Sequence, residues 1–579
     1  MADETHRAPR LWWLMAHDVV IKGGTVVDGS GAPARAADVA IDGDRISDIG
    51  TVDASGAGLV VDADGAIVTP GFVDLHSHLD AQIAWDPLMS SSCYHGVTSV
   101  VMGNCGMTFA PVHEGQASLL AGMMESVEDI PARSILEGMS WDWETYGQYL
   151  DVVDALPMGI NAGGMVGDVA VRTYVCGDAA CEVDFRASDE ELAAMAALVD
   201  EAIGAGAIGY SMSRSLTHHV PDGRWVPGTF ADPAEYFVVA EPLARHGRGI
   251  LECAPRYNET DGSTSRVDAE MAWIAELSRS TGRPFTFNLA QMRSMGDHYR
   301  RVIELADAAN KSGAQLRPQT TPRSIGVLFS IAANTPLDGL ASFAPLLDMD
   351  RHERLQALHD PALRQRLQDE AEGAASDQFE RMYLLTPEGG AVYEYREDDT
   401  MAAQAAERGV SPVEYYIDAL IDSDGKAVVN WPVMNEDFAA IGELLSTRTT
   451  VIGLADAGAH ATQIMDASQA TFFLSHWVRD KKAISIEEGV RRITSDTADL
   501  VGFAHRGTLR VGAYADINVI DLDALFLPLP EIVHDFPAGA PRFVQKAMGI
   551  EHTFVNGELF MSGGEPTGAL SGRLLRSSD

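Results

Sequence analysis

The stretch TPGFVDLHSHLDAQ, residues 69–82, carries two histidines one residue apart at the end of an apolar segment. Residues i and i+2 of a strand point to the same face, so His76 and His78 can bind one metal ion together. Two hydrogen-bonded polar residues at a strand end are the alternative. A pair of metal ligands at the carboxyl end of a strand is typical of active sites in β/α barrels.

Strand-like apolar segments alternate with helical patterns through most of the remaining chain. Eight such segments can be placed, at residues 71–75, 96–103, 158–167, 206–212, 247–253, 284–290, 314–320 and 450–456. Capping-box patterns at Ser188-x-x-Glu191 and Ser485-x-x-Glu488 begin two of the helices. The alternation predicts an α/β fold, a (β/α)8 TIM-like barrel. A doubly wound sheet is the alternative, although no G-x-G-x-x-G motif follows an early strand.

Both chain ends show short strands and tight turns instead of this alternation. Residues 16–70 alternate Val and Ile with Gly and Asp turns, and residues 506–579 repeat the pattern with the hairpin signal Asn556-Gly557. We therefore predict one small β-sandwich domain built from both chain ends. The metal-dependent hydrolase barrel is predicted to occupy residues 71–505.

The segment between the seventh and eighth predicted strands is too long for a single crossover. Residues 321–448 are therefore predicted to form an insertion or lid beside the site, with helical patterns near 351–371, 402–422 and 435–446. At the other end of the chain, residues 1–14 read as an extension, because a regular strand pattern begins directly after Met15.

The composition excludes several classes of function. Lys and Arg total 42 against 84 Asp and Glu, a formal net charge of −42, which argues against nucleic-acid and anionic-lipid partners. No apolar run reaches the roughly 18–20 residues of a membrane helix. Five scattered cysteines fit free thiols in a reducing compartment, so we predict a cytoplasmic protein.

The first stretch and HGVTSVVMGNCGMTFAPV at residues 95–112 together resemble the amidohydrolase superfamily, in its D-aminoacylase (N-acyl-D-amino-acid deacylase) branch. The resemblance extends over almost the whole chain and includes VGAYADINVID at 511–521 and MGIEHTFVNG at 548–557. It implies a β/α barrel in which metal-bound water attacks an amide or a related bond.

The resemblance also implies roles for individual residues. His76 and His78 match the paired histidine ligands, and Cys105 matches the cysteine that takes the bridging-ligand position in this branch. Asp456, in VIGLADAGAH, matches the aspartate after the eighth strand, which binds on the metal side and acts as base and then as acid. A thiolate ligand favours Zn²⁺ over Mg²⁺ or Ca²⁺.

The sequence departs from the branch at the fifth and sixth strands, which usually contribute one histidine each. By alignment these positions fall near Ala254 and Leu289, which cannot bind a metal. We therefore expect one zinc ion per chain rather than two. Glu252 and Cys253 lie nearby, and Glu252 and His460 are the candidates for an extra ligand or a proton shuttle.

Six further polar residues follow predicted strands and are candidates for substrate binding. Guanidinium groups among them could bind a substrate carboxylate through two parallel hydrogen bonds. The six residues are Asp168, His218, His219, Arg256, Arg293 and Arg323.

The expected function is metal-dependent hydrolysis of a carbon–nitrogen bond other than a peptide bond. By resemblance, the substrate is an N-acyl-D-amino acid or a related small amide, and a homo-oligomer is expected of such a barrel. Because two histidines are missing, two kinds of alternative stay open. One is a non-catalytic barrel that serves as a binding or scaffold protein. The other is a cyclic-amide hydrolase, a deaminase or a decarboxylase on the same scaffold.

Overall fold

Eight parallel strands form the central sheet of the computed structural model, which describes residues 17–373, 377–386 and 389–577. In chain order they are β1 Phe72–Asp74, β2 Val97–Met102, β3 Asn161–Gly167, β4 Gly209–Ser213, β5 Ile250–Ala254, β6 Phe285–Asn288, β7 Leu316–Thr320 and β8 Val451–Ile452. Each strand pairs with the next one in the chain, from β1 at one edge to β8 at the other. The order lacks the reversal that a doubly wound sheet requires, so that alternative is wrong.

The two edges of the sheet approach each other just beyond the ends of β1 and β8. Ser77 and Ala457 form a parallel bridge, and the N–H of His78 donates to the carbonyl of Ala457 at 2.8 Å. The sheet is therefore curled, and the loops that follow its first and last strands are joined. Strands β2 to β5 are buried along their whole length, as expected for parallel strands covered on both faces.

The last strand is shorter than the sequence predicts. The prediction covered residues 450–456, whereas β8 ends at Ile452. Leu454 and Asp456 have φ of 57° and 42°, a left-handed backbone that no extended strand can contain. The chain thus leaves the sheet early and turns Asp456 toward the end of β1.

Helices cover most connections between the strands. The α-helices are Ala117–Glu128, Ala132–Gly138, Tyr146–Asp154, Asp168–Cys176, Asp189–Ala205, Pro233–Val239, Glu241–His246, Val267–Thr281, His298–Lys311, Arg351–Ala357, Pro361–Gly373, Met401–Arg408, Pro412–Asp422, Phe438–Ser446, Gln469–Phe472, Ile486–Ile493 and Ser495–Val501. A π-helix, Phe473–Asp480, continues one of them. Short 3-10 helices lie at Gln82–Ala84, Ser92–His95, Gly177–Cys181, Arg293–Met295, Ala344–Leu346, Asp377–Glu380, Glu397–Asp399, Asp466–Ser468 and Pro537–Gly539.

The two predicted capping residues begin helices as expected. The hydroxyl oxygen of Ser188 accepts a hydrogen bond from the N–H of Glu191, and the Glu191 carboxylate accepts one from the N–H of Ser188, which completes a capping box. The hydroxyl oxygen of Ser485 accepts from the N–H of Glu488 at 3.3 Å, so a serine N-cap begins the second helix.

Two further sheets are built from the chain ends, and the seven-stranded one combines strands from both of them. The four-stranded sheet contains Val19–Lys22, Asp38–Asp42, Arg45–Gly50 and Leu59–Asp62. The seven-stranded sheet contains Thr25–Val26, Arg35–Ala36, Ile67–Pro70, Ile517–Ile520, Ile550–Val555, Glu558–Ser562 and Glu565–Pro566. Side chains from the two sheets share one hydrophobic cluster, in which Ile21 and Val39 meet Ile517 and Phe554.

The hairpin signal near the carboxyl end is confirmed. Asn556 and Gly557 connect two antiparallel strands with φ of 46° and 84°, as a two-residue turn of the primed type requires. A Cβ at Gly557 would lie 2.0 Å from the carbonyl oxygen of Gly43, so glycine is also needed there for close backbone contact.

The segment between β7 and β8 has its own sheet and its own core. Three antiparallel strands, Ile325–Phe329, Tyr383–Leu385 and Val428–Met434, pack with helices around a separate hydrophobic cluster. The predicted helical pattern at 402–422 is two helices, because Gly409 takes a φ of 71° and Pro412 begins the next helix. The three strands were not predicted.

A small antiparallel pair, Glu531–Val533 and Arg542–Val544, lies outside these sheets. Across the described ranges, no helix is long and apolar enough to cross a membrane. All five cysteines are free thiols. The predicted extension at residues 1–14 and the start at Met15 lie outside the described residues.

Candidate metal centre and active site

Three side chains from the ends of β1 and β2 converge at one point. His76, His78 and Cys105 offer ligand atoms that all lie within 4.8 Å of one another. The Nε2 atom of His76 lies 3.4 Å from the Sγ atom of Cys105. All three side chains are buried. The i and i+2 spacing therefore brings both histidines to one place, together with the cysteine of the next loop.

Asp456 joins this cluster from the loop after β8. Its Oδ1 atom lies 3.1 Å from Nε2 of His76 and 3.9 Å from Nε2 of His78. Its side chain is 20% exposed, whereas the two imidazoles are buried. Asp456, Cys105 and His460 all have positive φ, of 42°, 54° and 49°. Such backbone strain in non-glycine residues concentrates at functional sites.

Each histidine meets an acceptor on its outer side, and the sequence predicted neither. The Nδ1 atom of His76 lies 2.9 Å from Oε1 of Gln319 on β7, and Nδ1 of His78 lies 3.6 Å from Oε1 of Glu128. Gln319 is a polar residue near the carboxyl end of a predicted strand, and this position could have marked it as a site residue. Glu128 ends a helix between β2 and β3, and nothing in the local sequence marks it.

The fifth and sixth strands do contribute inward polar residues, although not at the aligned positions. The Oε2 atom of Glu252 accepts a hydrogen bond from the N–H of Cys105 at 2.9 Å, and Nδ2 of Asn288 lies 3.6 Å from its Sγ. Ala254 and Leu289 are buried apolar residues. Cys253 lies in the hydrophobic core, because successive strand residues face opposite sides.

The cluster combines several acidic groups in a buried setting. Burial raises the pKa of Glu128 to about 8, that of Glu252 to about 7 and that of the Cys105 thiol to about 12. Burial also disfavours charge on Asp456 and His76, but Cys105 and then Asp456 outweigh it at His76, and His76 outweighs it at Asp456. The pKa of Asp456 is lowered and that of His76 is raised.

This donor set fits a divalent metal ion. Two imidazole nitrogens, a thiol sulfur and a carboxylate oxygen lie together, and a cation would stabilise the ionised thiol and carboxylate. The Oε1 atom of Glu252 has no hydrogen-bond partner within the described chain, although it is buried. A buried polar atom without a partner at such a site is consistent with a role toward a cation.

His460 lies beside the cluster, whereas Asp168 does not join it. The Nε2 atom of His460 is 3.9 Å from Oε2 of Glu128, and its side chain is 29% exposed. Both carboxylate oxygens of Asp168 accept from Nε of Arg172 at 2.9 Å, and the hydroxyl of Tyr210 binds one of them. Asp168 is therefore a buried carboxylate paired with Arg172 and Tyr210, and its role in substrate binding stays a prediction.

The three predicted arginines differ in their surroundings. Arg323 is fully buried, pairs with Asp466 at 2.9 Å and stacks on a tyrosine ring, so its guanidinium is not free for substrate. Arg293 is mostly exposed and lies 3.6 Å from Glu436. Arg256 donates to the carbonyl of Thr229 at 3.2 Å, and its Nε has no hydrogen-bond partner in the described ranges.

The paired histidines after β4 lie in a partly exposed loop. The Nδ1 atom of His218 lies 2.7 Å from the hydroxyl of Ser213, and Nδ1 of His219 lies 3.0 Å from the carbonyl of Thr217. Burial first, and then the charge of His460, lower the pKa of His218 to about 4. His218 therefore faces the same region as the cluster, while His219 packs near Trp225.

The sequence pattern of the amidohydrolase family matches residues 59–560, which is most of the chain. The chain belongs to the amidohydrolase family. Within that family it falls in the D-aminoacylase branch and is a hydrolase of carbon–nitrogen bonds other than peptide bonds.

Three similar proteins illustrate the relationship. An uncharacterised protein of Mycobacterium tuberculosis is 29% identical over 607 residues, covering 98% of this chain and 96% of that protein. The D-aminoacylase of Alcaligenes xylosoxydans xylosoxydans is 27% identical over 569 residues, covering 96% of this chain and 97% of that enzyme. The N-acyl-D-glutamate deacylase of the same organism is 28% identical over 549 residues, covering 93% of each chain.

Among solved structures, this amidohydrolase is similar to a D-aminoacylase whose binuclear metal centre was studied, with one metal activating and the second attenuating. The sequences are 25% identical, the TM-score is 0.66, and the match covers 97% of this chain and all of that one. The similarity therefore includes the whole architecture and not only the metal-binding motif.

Proposed function

We propose that this amidohydrolase is metal-dependent and cleaves the amide bond of an N-acyl-D-amino acid or a related small amide. The observation that carries the proposal is the convergence of four potential ligands at one end of the parallel sheet: His76, His78, Cys105 and Asp456. The similarity to a D-aminoacylase and an N-acyl-D-glutamate deacylase supports the substrate class.

The proposed cofactor is one Zn²⁺ ion per chain, held by the four residues of that convergence. A mixed set of imidazole, thiolate and carboxylate ligands is one that zinc prefers over Mg²⁺ and Ca²⁺. When bound, the ion polarises the scissile carbonyl and lowers the pKa of the attacking water. Glu252 is the candidate for an additional ligand, because its Oε2 atom accepts from the N–H of Cys105 and its Oε1 atom has no hydrogen-bond partner among the described residues.

Asp456 is proposed as the general base and then the general acid. It is the member of the cluster with the more exposed side chain, so substrate and water can reach it. Although burial opposes ionisation, the charge on His76 holds the pKa of Asp456 below its usual range. At neutral pH its carboxylate can accept the proton of the attacking water and deliver it to the leaving nitrogen.

The substrate side is proposed to involve Arg256 and the loop after β4. The guanidinium of Arg256 has a donor without a partner among the described residues, and a carboxylate could accept from it. His218 and His219 are proposed to contact substrate from the neighbouring loop. His460 is proposed as a proton shuttle rather than a ligand, because its Nε2 atom lies near Glu128.

The proposal also assigns a domain to each part of the chain. We propose that the curled sheet closes into a (β/α)8 barrel over residues 71–505, and that residues 16–70 and 506–579 form a β-sandwich domain. The insertion, residues 321–448, is proposed as a lid, because the N–H of Leu328 donates to the Gln463 carbonyl at 2.6 Å near the site. A cytoplasmic homo-oligomer remains the proposed state.

The first test is elemental analysis of protein purified without added metal, followed by a screen for amine release. We expect about one zinc per chain and release of free D-amino acid from N-acyl-D-amino acids, with the L-isomers as controls. About two metals per chain would add Glu252 to the ligands. No metal after zinc is offered, and no amine release, would contradict the proposal and favour a binding or scaffold protein.

A further inference from the structure

The carboxylate of Glu128 is buried between two histidines of the site. Glu128 is the last residue of the helix Ala117–Glu128, and its side chain is 4% exposed. Its Oε1 atom lies 3.6 Å from Nδ1 of His78, and its Oε2 atom lies 3.9 Å from Nε2 of His460. One carboxylate therefore faces a metal-binding residue on one side and a residue at the mouth of the site on the other.

Two of these atoms lack any other partner. Neither Nδ1 of His78 nor Oε1 of Glu128 has a hydrogen-bond partner in the chain as described, and both are buried. Leaving a buried donor or acceptor without a partner is unfavourable, so such atoms are rare. Since the two atoms are complementary and face each other, a small movement would form a hydrogen bond between them.

His76, the other histidine of the pair, is already within hydrogen-bond distance of an acceptor on its outer side. Nδ1 of His76 and Oε1 of Gln319 lie 2.9 Å apart, while Nε2 of His76 faces Cys105 and Asp456. His78 likewise directs Nε2 toward Asp456, at 3.9 Å, and Nδ1 away from it. Both imidazoles thus present the same nitrogen to the cluster and the other nitrogen to an acceptor.

The position of Glu128 is fixed by contacts that do not involve His78. The backbone N–H of His460 donates to the carbonyl of Glu128. The next residue, Asp129, accepts from the Thr462 hydroxyl at 3.1 Å and from Nε2 of Gln463 at 3.0 Å. The helix end and the loop that follows Asp456 therefore hold each other in place.

We infer that Glu128 is a positioning residue for His78, which rests on the proposed metal-dependent function. Its carboxylate accepts a hydrogen bond from the Nδ1–H group of His78 and so orients the ring with Nε2 directed at the metal position. Acceptors of this kind orient histidine ligands and make them more basic. Through His460, the same carboxylate connects the orientation of His78 to the loop that carries Asp456.

The experiment compares zinc affinity of the full-length wild type with that of Glu128→Gln, measured by competition with a chromophoric chelator. Glutamine keeps the size of the side chain and one acceptor oxygen but cannot carry the negative charge that makes the imidazole more basic. We expect affinity to fall by about 10- to 100-fold, the usual effect of mutating such an outer partner. Glu125→Gln, one turn earlier on the exposed face of the same helix, is the matched control and should leave affinity unchanged.

Two further measurements separate positioning from general damage. The Co²⁺-loaded Glu128→Gln protein should show shifted visible bands, while the melting temperature of the metal-free variant stays near that of wild type. Glu128→Asp, which retains a carboxylate, should restore part of the affinity and also serves if the glutamine variant folds poorly.

Several outcomes would overturn the inference. Zinc affinity within twofold of wild type in Glu128→Gln would contradict it while leaving the proposed function intact. So would a loss of affinity matched by a lower melting temperature of the metal-free protein. A loss beyond a thousandfold would make Glu128 a ligand in its own right. A wild type that binds neither Zn²⁺ nor Co²⁺ would overturn the inference together with the proposed function.

Discussion

Replacing Asp456 with asparagine is the sharpest test of the proposed chemistry. The side chain keeps its size, and one oxygen can still accept from Nε2 of His76, which lies 3.1 Å from the native Oδ1. The backbone at this position has a φ of 42°, and asparagine is one of the residues that tolerate a left-handed conformation. The substitution therefore removes the basic carboxylate with little change in local structure.

The expected loss of rate follows from the removal of a general acid–base group. A positioned general acid–base group contributes about 10²- to 10⁴-fold to a rate. At about 1.36 kcal/mol per tenfold, this is about 2.7–5.4 kcal/mol of transition-state stabilisation. Because one ligand of the proposed metal is weakened as well, zinc affinity should also fall. We expect kcat to drop by at least about a hundredfold even when zinc is saturating.

The assay is release of free amine from an N-acyl-D-amino acid at saturating zinc, with zinc content measured on the same sample. Asp424→Asn is the matched control, since Asp424 also has a positive φ, of 51°, but is exposed on the insertion. A kcat of Asp456→Asn within threefold of wild type, with zinc bound and the control unchanged, would refute the assignment of Asp456 as the base.

Three other variants test separate parts of the structure. Cys105→Ser should weaken zinc binding by at least about tenfold in chelator competition, because a hydroxyl is a poor zinc ligand; unchanged affinity would remove Cys105 from the site. Arg256→Met should raise KM for an N-acyl-D-amino acid by about 10- to 100-fold at constant kcat, while an unchanged KM would exclude a carboxylate contact. Glu270→Gln leaves the buried Arg214 unpaired and should cost about 3–5 kcal/mol of unfolding free energy at pH 7. Burial alone would raise the pKa of Glu270, but the Arg214 charge outweighs it and lowers that pKa. The stability that the wild type has over Glu270→Gln in urea unfolding is therefore complete above pH 4.5, the usual pKa of a glutamate, and shrinks as the pH falls through the folded-state pKa. A stability difference that does not change with pH would contradict this.

The central sheet could be predicted because its signals are local. Each predicted parallel strand overlaps an observed one, since buried parallel strands are continuous apolar runs that turns separate. The predicted end of β8 lies too far along the chain, because Leu454 and Asp456 are compatible with a strand by residue type. Their left-handed backbone is imposed by the contact between Ala457 and the loop after β1, which is distant in sequence.

The site was predictable only where a spacing or a motif carried it. His76 and His78 follow from strand alternation, and Cys105 and Asp456 followed from resemblance. The acceptor Glu128 could not be found, because it is one of many helical glutamates and only folding places it next to His78. The pairing of Asp168 could not be predicted for the same reason, since its partner Tyr210 lies on another strand.

The surroundings of Cys105 bear on the number of metals. Its N–H donates to Glu252, and Nδ2 of Asn288 directs a hydrogen toward its Sγ at 3.6 Å. A thiolate sulfur has three lone pairs, and a hydrogen bond from Asn288 would occupy one of them. The two strands that lack the expected histidines thus supply groups that orient Cys105 from either side. The single metal that we propose follows instead from Ala254 and Leu289, which take the positions of the two histidines on these strands and offer no donor to a second cation.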